Sequence, residues 1–180
     1  YFFALAVTNI AWMRLSCRPP RKGGGVMVSV LIPARNEEGN VARCLDSLLA
    51  QTYENCEIMV LDDQSGDGTW EIIERYAREH PGRVYAIRGR PLPENGWHGK
   101  PHALHQLAER ARGEYLLFTD ADTAHAPESI SWAVTNLEAH RVDFLSAYTG
   151  QELGTLGEAL LVPIMYLMTA VVMPLWMVTV

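Results

Sequence analysis

The sequence predicts an α/β fold, with three α/β/α layers around a mostly parallel sheet. Two observations carry that expectation. Between Val26 and Ala147, β-rich apolar runs alternate with segments whose apolar residues recur at helical spacing, and repeated βα units join parallel strands through covering helices. Two of the runs, Ile58 to Leu61 and Tyr115 to Thr119, end in the acids Asp62-Asp63 and Asp120-Ala121-Asp122. Carboxylates would thus gather at the edge of the sheet where open α/β folds bind ligands.

The elements follow in order. Val26 to Ile32 is a strand stopped by Pro33, and Glu37 to Ala50 is a helix presenting Val41, Cys44, Leu45, Leu48 and Leu49 on one face, which makes Cys44 a buried thiol. Glu57 to Leu61 is the second strand, followed by a helix from Trp70 to Glu79 with Thr69 as its N-cap. Arg83 to Arg88 is the third strand, and a Gly/Pro-rich loop from Gly89 to Gly99 leads to a helix from Pro101 to Arg112. Glu114 to Thr119 is the fourth strand, a helix starts near Pro127, and Val142 to Ala147 is a fifth strand.

A chain of 180 residues holds one such domain, placed at 26–150, with some membrane-facing sequence on either side. Its 48% hydrophobic and 20% charged content excludes a disordered tail. The formal charge of -6 excludes a general nucleic-acid binder, which needs a basic surface. Cys17, Cys44 and Cys56 are odd in number and form no CxxC pair, so no disulfide framework is expected and the domain is assigned to a reducing cytoplasm.

The flanks are apolar. Tyr1 to Met13 carries no charge and precedes Arg14, Arg18, Arg21 and Lys22, as at the cytoplasmic end of a transmembrane helix. Residues 1–15 are therefore expected to be a partial anchor and 16–25 a basic, Gly-rich linker. Ala159 to Val180 is uncharged and long enough to cross a bilayer, but Pro163 and Pro174 argue against a straight helix. Residues 151–180 are read as an apolar segment that either spans the membrane or lies in its interface. The chain begins at Tyr1 and ends inside this run, and is read as part of a longer protein.

Three patterns invite chemical readings that do not hold. Asp63 to Gly68 with Glu74 nearly fits an EF-hand loop, but a strand precedes it where an EF-hand needs a helix. Gly96 to Lys100 lacks the outer Gly and the following Ser/Thr of a P-loop, although Lys100 just before a helix can still pair with a phosphate. His102 and His105 have zinc-chelating spacing without a third ligand nearby, which leaves packing or surface roles. His125 follows the acidic pair and lies either beside a metal or facing solvent. Paired carboxylates at strand ends point to a divalent cation that offsets phosphate charge, and so to a nucleoside diphosphate.

Taken in order, Val28-Ser29-Val30-Leu31-Ile32-Pro33-Ala34-Arg35-Asn36-Glu37, Leu61 to Thr69 and Thr119 to Asp122 resemble the motifs of family 2 glycosyltransferases of the GT-A (Rossmann-like) fold. Gly96 to Lys100 and Leu116 to His125 further resemble the branch associated with hopanoid and carotenoid glycosylation. The resemblance implies a nucleotide-sugar donor, usually UDP-linked, Mg2+ or Mn2+, and inversion. It also implies site roles: Pro33 and Ala34 cradle base and ribose, Glu37 lies near them, and Asp63 hydrogen-bonds the base. Lys100 would sit near the phosphates, Asp120 near ribose or metal, and Asp122 on the cation. The family's general base, a carboxylate, is expected beyond Val180.

The leading expectation is thus the donor-binding part of an enzyme at the cell membrane, its domain on the cytoplasmic face, glycosylating a lipid or isoprenoid acceptor. A processive polysaccharide synthase and a non-catalytic membrane-tethered nucleotide-sugar-binding module are the alternatives. A plain dinucleotide-binding domain is disfavoured because no GxGxxG follows the first strand.

Overall fold

The computed structural model describes residues 25–93, 96, 98–147 and 149–172, with 4, 5, 7–9, 11 and 19 near the start. Strands β1 (Val28–Ala34), β2 (Cys56–Asp62), β3 (Val84–Arg88) and β4 (Tyr115–Phe118) alternate with helices α1 (Val41–Leu49), α2 (Thr69–Glu79) and α3 (Gly99–Ala108). Two more helices follow, α4 (Ser129–His140) and α5 (Leu156–Val172). The chain divides into two compact units, Arg21–Ser131 and a discontinuous one of Tyr1–Pro20 with Trp132–Val180.

The first unit holds the sheet, ordered β3-β2-β1-β4 with every pairing parallel. β2 is buried along its whole length and β1 along all but Pro33, as expected of strands covered on both faces. Leu31, Met59 and Leu61 pack against Ala103 and Leu107 of α3. Each such large side chain, fully buried, contributes roughly 1.5–3 kcal/mol. α1 buries Val41, Cys44, Leu45 and Leu48, the stripe its 3.6-residue spacing dictates, while Leu49 is partly buried.

Beneath this core, Glu57 is 2% exposed and accepts hydrogen bonds from Ser29 Oγ (2.6 Å), the Arg112 backbone N–H (2.9 Å) and Arg112 Nε (2.9 Å). The loop carrying Arg112 comes so close that a Cβ on Gly113 would lie 2.5 Å from the Ser29 nitrogen. Only glycine fits there.

Three sequence expectations change. β1 runs through Pro33 to Ala34, paired with Leu61 and Asp62 of β2. Leu31 directs its carbonyl to Thr119 N, so Pro33 faces the same side, beyond the end of β4, where no ladder bond needs its missing N–H. Thr69 is the first residue of α2 rather than its N-cap, which is Gly68. Val142 to Ala147 is not a strand. Arg141 adopts φ 53°, ending α4 in the left-handed conformation, and the residues after it find no ladder, with Phe144 80% exposed.

In the second unit, α5 opens on a capping box. Glu158 N donates to Thr155 Oγ1, and Glu158 Oε2 accepts from Gly154 N and Thr155 N. Leu156, Leu160, Leu161, Ile164, Met165, Leu167 and Met168 are all exposed along it. Among the described residues no helix is long and apolar enough to cross a membrane. Most of 1–25, including the basic cluster, and all of 173–180 lie outside the described residues.

Candidate active site

β2 and β3 follow β1 on one side, and β4 returns to its other side, so the strand order reverses between β1 and β4. The crevice beyond the carboxyl ends at such a reversal is where open α/β sheets take ligands. A cavity of about 270 Å³ opens there. Pro33, Ala34, Arg35 and Glu37 from the end of β1 line it, with Asp63 after β2, Gly99, Lys100 and Ala103 of α3, and Asp120, Ala121 and Asp122 after β4. Every residue expected at the site, Pro33, Ala34, Glu37, Asp63, Lys100, Asp120 and Asp122, is therefore on the wall of one cavity.

The doubled acid at the end of β2 divides its work. Asp62, 2% exposed, accepts from Ser65 N (3.3 Å) and pairs with Arg88 NH1 (3.8 Å), whose guanidinium stacks 4.0 Å over the Trp70 ring. It holds the loop. Asp63 is fixed by its backbone N–H to Ala34 O (2.8 Å) and leaves its carboxylate to the cavity, 3.9 Å from Arg35 NH1. Across the cavity Lys100 Nζ lies 2.5 Å from Asp120 Oδ1.

The loops after β1 and β2 are joined by reciprocal hydrogen bonds. Gly66 N donates to Asn36 Oδ1 (2.8 Å), Asn36 N to Ser65 Oγ (3.0 Å), Glu37 N to Thr69 Oγ1 (2.8 Å), and Gly68 N to Glu38 Oε2 (3.0 Å). Asn36 and Gln64 take positive φ, 56° and 61°, the conformation that Asn tolerates best among residues with a Cβ. Asp67, the fifth position of the apparent EF-hand, is occupied by Thr69 N and Thr69 Oγ1. Among the described residues no group of three or more His, Cys, Asp or Glu is placed to hold a metal.

Sequence reading missed what secures the loop bearing Asp120 and Asp122. α1 and the turn after it reach across. Gln51 Nε2 donates to Ala126 O (2.7 Å), and its Oε1 accepts from Ser129 Oγ (3.0 Å) and Ile130 N (3.1 Å). Ser47 Oγ accepts from His125 N (2.9 Å), and Thr52 N donates to Pro127 O (2.8 Å). The His125 ring is partly buried, with Nε2 3.0 Å from Thr119 Oγ1, and burial lowers its pKa. Burial also pushes the Cys44 thiol up to about 12, with the charges of Asp122 and Asp120 adding to the effect. Cys44 is inert packing. His102 is buried against Gln106 and His105 lies 3.4 Å from Glu109, so neither reaches the cavity. Trp97 lies outside the described residues.

The donor set suits a hard divalent cation. Mg2+-type ions take one or two protein carboxylates and fill the remaining positions with water and substrate phosphate. Asp120 and Asp122 supply such a pair, and the N-terminus of α3 beside Lys100 can receive the phosphates.

Comparison with known proteins follows the same lines. Residues 29–153 match the family described as Glycosyl transferase family 2. The Escherichia coli UDP-Glc:alpha-D-GlcNAc-diphosphoundecaprenol beta-1,3-glucosyltransferase WfaP is 31% identical over 118 residues, 66% of this chain and 44% of that protein. The 4,4'-diaponeurosporenoate glycosyltransferase of Staphylococcus haemolyticus is 39% identical over 109 residues, 57% of this chain and 27% of that protein. Among solved structures, the mannosyltransferase PcManGT from Pyrobaculum calidifontis, in complex with GDP-Man and Mn2+, superposes with a TM-score of 0.57 at 28% identity, covering 76% of this chain and 41% of that one. The chain spans less than half the length of each of these three proteins.

Proposed function

Because the chain belongs to glycosyl transferase family 2, we propose that it forms the donor-binding part of an enzyme transferring a sugar from a nucleoside diphosphate to a lipid or isoprenoid acceptor, with inversion. The observation that carries this reading is the convergence of Asp63, Lys100, Asp120 and Asp122 on one cavity at the β1/β4 reversal.

In this reading the backbone at Pro33 and Ala34 cradles base and ribose, Glu37 lies beside them, and Asp63 accepts a hydrogen bond from the base. The acceptor oxygen attacks the anomeric carbon, the bond from that carbon to the diphosphate oxygen breaks, and negative charge grows on the departing nucleotide. Lys100 and the first N–H groups of α3 meet that charge where it develops. Asp122, with Asp120 beside it or on the ribose, would hold Mg2+ or Mn2+, which when bound supplies further neutralisation of the diphosphate. Where the acceptor group is a hydroxyl, a general base must also accept its proton. We assign it to a carboxylate outside the matched region.

UDP is the proposed carrier, on the strength of the name of the Escherichia coli relative. The acceptor class rests on the names of both relatives, which specify a diphosphoundecaprenol and a carotenoid acid. It also rests on α5, whose exposed Leu, Ile and Met side chains suit a membrane interface. We accordingly place the protein at the cell membrane, with the cavity on the cytoplasmic face.

Calorimetry with UDP, with and without Mn2+, tests the donor site. Metal-dependent binding that is lost in Asp122→Asn is expected. Metal-independent binding indifferent to that substitution would remove Asp122 from its role, and no UDP binding by the folded native chain would remove the site.

A further inference from the structure

Both cations on the cavity wall are engaged by carboxylates of the same wall. Arg35 faces Asp63 at 3.9 Å, and Lys100 holds Asp120 at 2.5 Å. The second contact has a consequence for the order in which ligands arrive. Asp120 and Asp122 are the two carboxylates that the loop after β4 places on the cavity wall, and among the described residues no group of three or more ligating side chains supplements them. A cation settling on Asp120 and Asp122 alone would meet the Lys100 ammonium already on the Asp120 oxygen. Like charges repel across a shared carboxylate, so the pair opposes metal binding.

We propose that the Lys100–Asp120 ion pair is a latch that couples the two ligands. Without nucleotide, Lys100 neutralises Asp120 and keeps the cation off. A diphosphate at the N-terminus of α3 draws Lys100 away and opens Asp120 to the metal. This inference rests on the donor-site reading and extends it from which groups bind to how one binding event licenses the other.

Three features of the geometry favour exchange over a permanent bridge. Lys100 and Asp120 are 59% and 54% exposed, so their pairing is screened by water and easily released. Lys100 is the second residue of α3, and a phosphate received at that helix end lies within reach of its flexible stem. Asp120 is by contrast fixed, because Thr123 N donates to its carbonyl (3.2 Å) and the loop after it is tied to α1. The mobile partner moves and the fixed one receives the cation.

The test uses the 180-residue chain and reads binding, not turnover. Mn2+ alone is titrated by electron paramagnetic resonance of the free ion against native protein, Lys100→Met and Lys100→Arg. Lys100→Met should bind Mn2+ alone about three- to tenfold more tightly than native, while Lys100→Arg, which keeps the pair, stays near native. The enhancement of UDP affinity by Mn2+ should shrink in Lys100→Met by the same factor, since linkage is reciprocal. Equal Mn2+ affinity in native and Lys100→Met, or no Mn2+ binding by either, would overturn the latch. UDP and Mn2+ binding by the native chain is scored separately, and its absence counts against the donor site itself. Melting curves of the three proteins check that each is folded.

Discussion

The Arg112 guanidinium closes on the Glu57 carboxylate at the opposite end of the sheet from the cavity, with its Nε 2.9 Å from Glu57 Oε2. Glu57 pairs in register with Ser29, each the second residue of its strand, whereas the cavity begins at Pro33. Burial alone would raise the Glu57 carboxyl, but hydrogen bonds from Ser29 and Arg112, with the Arg112 charge, outweigh it, and the net shift is downward. The pair fastens the α3–β4 loop to the strands and is remote from the chemistry.

Glu57→Gln should therefore destabilise the fold by about 1–3 kcal/mol, the cost of leaving buried groups poorly satisfied, without changing UDP affinity. A carboxyl lowered on folding adds stability that is present above its unfolded value near 4.5 and lost as pH falls through the lower folded value. Urea denaturation across that acid range should show the native protein losing stability more steeply than Glu57→Gln.

Gln51→Ala removes three hydrogen bonds to the segment Ala126 to Ile130. It should cost about 1–3 kcal/mol in stability and weaken Mn2+-dependent UDP binding, because the acidic loop loses its anchor to α1. Calorimetry at a temperature where the variant remains folded separates the two effects. Unchanged nucleotide affinity would show that the loop holds its position without this anchor.

Burial lowers the His125 pKa, so folding favours the neutral ring. Stability from this residue is present above the unfolded value of 6.5 and declines as pH falls below it, since the unfolded chain binds the proton more readily. The native melting temperature should drop between about pH 7.5 and 5.5, and His125→Asn should flatten that slope.

In a Cys17→Ser background, Cys44 and Cys56 should resist iodoacetamide near neutral pH until the protein unfolds, because burial raises both thiols and thiolate is the reactive form. For Cys44 the folded value, about 12, exceeds the reference of 9.0. Its stabilising effect is complete below the reference and disappears as pH rises toward the folded value. Mass spectrometry of labelled protein along a denaturant series checks the order of events, and labelling of Cys44 in the folded state would contradict its burial.

What the sequence disclosed followed its local physics. Apolar runs of strand length, the helical stripe of α1 and the acids at the ends of β2 and β4 each announce themselves within a few neighbours, and their spacing placed them on one edge of the sheet. The hidden features depend on distant partners. Gln51 meets residues 75 to 79 positions away, and nothing in Gln51-Thr52 announces a loop anchor. Asp62 and Asp63 are chemically identical, and it is Arg88, brought alongside by β3, together with Ser65 N that makes one a buried support, while the other is left to the cavity. Val142 to Ala147 has the composition of a strand, but composition does not supply a ladder partner.

Among the described residues β4 pairs with β1 alone, and Leu116 and Phe118 on it are 39% and 50% exposed. A bare strand edge beside apolar side chains is a template for a second molecule. In concentrated solution this chain should therefore stick to itself edge to edge while still folded, which light scattering would record as particle size rising with concentration. Leu116→Lys, at a residue that does not line the cavity, should suppress that growth.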